Sequence, residues 1–201
     1  TDMALPGREF CNDPDNPTYN GRVPAEQMTW LENLLALTPE DRLVVFAHHI
    51  PFVSFVDPNS TKHQTDNLLD IYSLVDDRKA VSLSGHTHTM ENHAPGQMFD
   101  GWDRSVGIDE VKFRHIIAGA ASGSWYQGDL NYRGVPMSFQ RMGAPKGVLL
   151  MDFEGPWYRE RYLGGGVSPE MTMWTGLNTP RFRDWYTTLV DWAANTPRSE
   201  R

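Results

Sequence analysis

Cysteine is almost absent from this chain of 201 residues: Cys11 stands alone, which excludes an internal disulfide and any zinc site built on paired thiolates. No apolar run approaches the roughly eighteen residues of a membrane-spanning helix. The first residues, Thr1-Asp2-Met3-Ala4-Leu5, show no charged head, apolar centre or small-residue cleavage site, so no leader is legible. A leader already removed leaves no trace in such a sequence, and the compartment stays open between cytoplasm and a periplasmic or secreted setting. Positive charge is also scarce. Eighteen Lys and Arg face 26 Asp and Glu, for a net charge of -8, and no basic cluster exists to hold a nucleic acid or a membrane surface. An acidic protein that handles an anionic substrate must supply positive charge locally, and metal ions do that well.

What is present suits a folded α/β protein. Hydrophobic residues make up 39% and charged residues 22%, enough to bury a sizeable core. Four of the seven histidines sit directly after two short apolar runs. Val44-Val45-Phe46-Ala47 leads into His48-His49-Ile50-Pro51, and Ala80-Val81-Ser82-Leu83-Ser84 leads into Gly85-His86-Thr87-His88. Such runs read as buried strands, and in a parallel sheet ligand sites collect at the carboxyl ends of strands. A helix with Met28, Leu31, Leu34 and Leu35 on one face is expected after Pro24. A second, capped by Asp66 and facing inward with Leu68, Leu69, Tyr72 and Val75, completes a strand–helix–strand unit.

Further on, 90–107 reads as polar and irregular, and Val111 to Ala118 as a strand. Residues 147–153 and 157–163 form a hairpin around Glu154-Gly155-Pro156. Phe182, Trp185, Leu189 and Trp192 mark an amphipathic helix. The domain reading is an extended arm over 1–23, a core over 24–165, and a linker with a carboxyl-terminal helix over 166–201.

Imidazole is the commonest neutral ligand for transition ions. In a continuous strand His86 and His88 would point to opposite faces. After a strand end the chain turns, and Gly85 is expected to supply backbone freedom or close approach there. Two strand-end sites and a His-x-His together point to metal. His63, His93 and His115 have no such setting and default to solvated or structural roles.

The patterns "VVFAHHIPF" and "LSGHTH" resemble two of the five metal-binding segments of the calcineurin-like metallophosphoesterases, and "EQMTWLENLLAL" is similar to the helix that precedes the first. "AGAASGSWYQGD", "YRGVP" and "GAPKGVLLMDFEG" look like the region after Gly-His-x-His in a bacterial branch of that family. The resemblance covers most of 20–165. It implies a partial metallophosphoesterase-type β-sandwich flanked by helices. It also implies hydrolysis of a small phosphomonoester or phosphodiester by a metal-bridging hydroxide, with two Zn, Mn or Fe ions in the complete site. It implies His49 and His86 on one ion and His88 on the other, with His48 in a supporting or structural role. The loop carrying Trp125 and Tyr126 would wall the substrate pocket, or its aromatics fill the core.

The family's Asp-x-His, Gly-Asp and Gly-Asn-His-Asp/Glu segments do not occur between Thr1 and Ala47. They would bring the bridging carboxylate and the leaving-group acid. The expectation is therefore a carboxyl-terminal half whose partner is the amino-terminal half of the same domain. By itself it should bind metal weakly and hydrolyse esters poorly or not at all. A non-catalytic binding or assembly module is the alternative, and a mononuclear enzyme on His49, His86 and His88 a third.

Overall fold

A computed structural model describes residues 21–121, 147–166 and 168–170, with seven helical positions between 181 and 195. Helix α1 (Ala25–Leu37) starts after Pro24, whose missing N–H costs nothing at a helix start. It buries Leu31 and Leu35, one turn apart, while Leu34 is exposed. Strand β1 (Val44–Ala47) follows, then helix α2 (Leu68–Leu74) and strand β2 (Ala80–Ser84). The buried face of α2 is Leu68, Ile71 and Tyr72, continued by Val75, whereas Leu69 is exposed. Asp66 does not cap α2. Asn67 occupies the cap position and turns its amide onto the Val23 backbone at 3.1 and 3.0 Å, and Asp66 pairs with Arg22 instead.

The polar stretch after His88 contains two elements. Strand β3 (Met90–His93) and the short helix α3 (Trp102–Ser105) precede β4 (Arg114–Ala118). The main sheet runs β1-β2-β4-β3, with β1, β2 and β4 parallel and β3 antiparallel to β4. Met90 pairs with Ala118, so β3 begins at the edge where β1, β2 and β4 end. The segment 85–89 therefore runs along that edge from β2 to β3, past the end of β4. β2 is buried along almost its whole length, as expected of an inner parallel strand. β1 alternates between half-buried and exposed. It borders an apolar groove of about 720 Å³ shared with α1 and lined by Trp30, Leu34, Leu35, Val45 and Phe46.

Strands β5 (Gly147–Glu154) and β6 (Trp157–Gly164) form the expected hairpin around Gly155, whose φ of +56° suits a glycine at the turn. Among the described residues it is a two-stranded ribbon rather than a second full sheet. It meets the main sheet through Arg114–Glu160, Asn92–Glu160 and Lys79 over the Trp157 ring. Of the expected arm, Gly21 is described, bridged to Thr65 so closely that a Cβ would lie 2.8 Å from Thr65 Oγ1. Trp192 is exposed on the carboxyl-terminal helix, while Phe182, Trp185 and Leu189 lie outside the described residues.

The core under the sheet joins Phe52, Tyr72 and Phe113 to His115, which shares a hydrogen bond of 2.7 Å with Tyr72 Oη. Complete burial, then the positive fields of His93 and His48, push the His115 imidazole well below its usual range. The unfolded chain takes up this proton near pH 6.5 and the folded one does not, so stability is full above pH 6.5 and is lost as pH falls below it. Urea unfolding at pH 5.5 should report about 1.4 kcal/mol less stability than at pH 7.5 for this group. A flat profile over that interval would contradict a buried neutral His115.

Candidate metal centre

The edge formed by the ends of β1 and β2 brings His49 and His86 together across 37 residues of sequence. His86 Nδ1 lies 3.2 Å from His49 Nε2, with the rings edge-on at 73°. Two nitrogens held about 2.0–2.1 Å from one tetrahedral ion stand about 3.3–3.4 Å apart, so this spacing is compatible with two ligands on a shared ion as well as with a hydrogen bond between the rings. Burial, followed by the fields of His63, His49 and His88, lowers the His86 pKa to about 4. Burial and then His49 lower that of His88. Neutral imidazoles are the form that binds metal.

The turn differs from its expectation. No positive φ occurs at Gly85, and a Cβ added there would meet nothing within 4 Å. The left-handed residues are His86 and His88 themselves, at φ +67° and +57°. Asp57 and His63, at +53° and +65°, complete the positive-φ non-glycine residues among those described. Of these four, the three histidines belong to this cluster, and Asp57 Oδ2 lies 3.7 Å from His63 Nε2. Each such residue costs on the order of 1–3 kcal/mol and persists only where its surroundings over-determine it.

His48 points away from the pair. Its Nδ1–H donates to Ile50 O at 2.6 Å, its Nε2 accepts from Ser82 Oγ at 2.8 Å, and its ring stacks on Phe52. Burial first, against the Ile50 bond, lowers its pKa to about 4. Both nitrogens are thus committed to holding the loop after β1. Trp125 and Tyr126 lie outside the described residues.

Two groups escaped the sequence reading. His63 Nδ1 sits 2.9 Å from His86 Nε2, a contact with the ligand pair that the expectation of a solvated or structural histidine did not include. Nothing in its polar loop marks it beforehand. Glu91 is fully buried, and its carboxylate accepts from Ser54 Oγ, Phe55 N, Thr89 Oγ1 and His93 Nε2 at 2.9, 2.8, 2.5 and 2.9 Å. Burial alone would raise the Glu91 pKa, but the bonds from His93, Thr89 and Phe55 outweigh it and hold it below the ordinary value. Thr87 Oγ1 contacts Thr89 Oγ1 at 2.7 Å, so one carboxylate ties the histidine turn to the loop after Pro51. Thr89, Glu91 and His93 alternate inward as strand residues do, but the buried face is polar and hydrophobicity does not reveal it.

The donor set fits a transition ion in part. His49 and His86 have ligand spacing, yet among the described residues no three His, Cys, Asp or Glu side chains form a ready metal-binding group. No described helix is long and apolar enough to cross a membrane.

A mostly parallel sheet with imidazoles clustered at its carboxyl edge defines the class, an α/β protein with its candidate site at the strand ends. Residues 115–196 match the family model described as the C terminal of calcineurin-like phosphoesterase. That stretch is thus similar to the carboxyl-terminal region of calcineurin-like phosphoesterases, in agreement with the resemblance drawn from the upstream segments. The match begins inside β4, so His49, His86 and His88 lie ahead of it. No curated protein matches the chain.

Proposed function

We propose that this chain carries part of the ion-binding site of a metal-dependent phosphoesterase acting on a phosphomonoester or phosphodiester. The 3.2 Å approach of His86 Nδ1 to His49 Nε2 carries this reading, and the family match downstream supports it. His49 and His86 would hold one ion, and His88, on the far side of Thr87, would face a second. Bound there, Zn, Mn or Fe supplies Lewis-acid polarisation of a phosphoryl oxygen. The protein's own part is to keep His86 and His88 neutral by burial and to fix the histidines by the turn.

Carboxylates that complete the set come, in this reading, from the amino-terminal half of the family's domain, outside the described residues. The side of β1 away from β2 is the natural place for it. Val45 and Trp30 are exposed there, and an apolar strand edge calls for a partner. A strand added beside β1 in parallel would end next to His49.

A non-catalytic binding or assembly module is the second reading, favoured by the lack of a three-ligand group among the described residues. Hydrolysis of p-nitrophenyl phosphate and bis(p-nitrophenyl) phosphate by the intact protein, with added Zn, Mn or Fe, separates the two. Metal-dependent turnover that His86→Ala and His88→Ala each remove is the expected result. Near-normal turnover in either variant contradicts the ligand assignment. Absence of metal-stimulated hydrolysis in the unaltered protein favours the module.

A further inference from the structure

His86 has both ring nitrogens engaged, and only one of those contacts belongs to the ligand pair. Nδ1 faces His49, while Nε2 faces His63 Nδ1 at 2.9 Å, with the two rings tilted by 43°. His63 comes from the loop between β1 and α2 and holds a left-handed backbone at φ +65°. Its neighbours fix it there. Gln64 is fully buried, donating from Nε2 to Ser60 O at 2.6 Å and accepting at Oε1 from Ser54 N at 3.1 Å. Thr65, also buried, donates from Oγ1 to Pro51 O at 3.1 Å. A strained residue flanked by two buried anchors is aimed rather than idle.

We propose that His63 is a positioning residue for the metal-binding imidazole of His86, accepting the His86 Nε2–H on its own Nδ1. The inference rests on reading His49 and His86 as ligands of one ion. With Nδ1 of His86 turned to the ion, its ring proton sits on Nε2 and needs an acceptor. Ligating histidines almost always donate that second N–H to a carboxylate, a backbone carbonyl or water, which fixes their tautomer and ring angle; here a ring nitrogen of His63 stands in that place. His63 Nδ1 then keeps its lone pair and its proton stays on Nε2, 3.7 Å from Asp57 Oδ2. His63 thus links His86 to the loop between β1 and α2, with the Asp57 carboxylate near its far nitrogen but beyond direct hydrogen-bond distance.

The test titrates Zn2+ alone into the whole chain and its variants against a chromogenic chelator, with circular dichroism and melting as folding controls. His63→Asn keeps a residue that tolerates left-handed backbone but cannot reach His86. It should weaken Zn2+ binding about 10–100-fold. His63→Gln offers an amide oxygen in place of Nδ1 and should recover most of the loss. Nitrogen-15 spectra of the Zn2+-loaded parent should show the His86 proton on Nε2, a property that mere packing by His63 would not set.

Unchanged affinity in His63→Asn, alongside losses in His49→Ala and His86→Ala, overturns the positioning role and leaves the ion site standing. Full affinity in His49→Ala and His86→Ala overturns the ion site itself. A loss in His63→Gln as deep as in His63→Asn makes His63 a ligand, which also overturns the proposal. So does a His86 proton found on Nδ1, whether or not His63→Asn folds.

Discussion

Replacing His86 with alanine is expected to weaken Zn2+ binding by more than about 100-fold, beyond the range typical of outer supporting groups. The reason is geometric. His86 Nδ1 and His49 Nε2 already stand at the spacing an ion imposes on two ligands, so little reorganisation is needed on binding. The His86 pKa of about 4 means that no proton has to be displaced from it at neutral pH. His49→Ala should lose a comparable amount. Because both residues would serve one ion, the double variant should lose much less than the sum of the two single losses. Chelator competition with Zn2+ checks this directly. Additive, small losses would mean that the two imidazoles are hydrogen-bonded neighbours rather than ligands.

The second large effect belongs to stability. Glu91→Ala removes a fully buried carboxylate and leaves Ser54 Oγ, Phe55 N, Thr89 Oγ1 and His93 Nε2 without their acceptor. Leaving a buried donor without its acceptor costs about 1–3 kcal/mol, and four donors are affected here, so a loss on the order of 3–5 kcal/mol is expected. For a chain of this size that corresponds to a melting midpoint lower by on the order of 10 °C. Glu91→Gln keeps the volume and one acceptor oxygen and should lose clearly less. The same variants should also loosen the histidine turn, since Thr89 links Glu91 to Thr87. A Glu91→Ala midpoint within about 2 °C of the parent would show that the buried network contributes little.

These two residues differ in how they could be found. His86 follows a glycine and a buried strand, and its setting is written in some ten consecutive residues. Glu91 stands among Met90, Asn92 and His93, a stretch whose polarity argues against burial. It is buried because β3 pairs with β4, whose residues Ile116 and Ile117 are fully covered. That pairing skips over the intervening helix α3 and is not local information. His63 is a sharper case, since a loop residue acquires meaning only when β1 and β2 lie side by side.

The sequence by itself determined the strands β1, β2 and β4, the two helices flanking β1, the β5–β6 hairpin, and the strand-end placement of His49, His86 and His88. Each rests on periodicity, turn residues or spacing within one short segment, where burial of a face leaves a repeating mark. The tertiary structure decided the rest. It turned His48 inward onto Ile50 and Ser82, relieved Gly85 of any special backbone role, and set His63 against His86. It also placed a carboxylate beneath the turn. Those outcomes depend on which strands become neighbours, because hydrogen bonds between residues 23 to 37 positions apart follow from strand order and not from any local pattern.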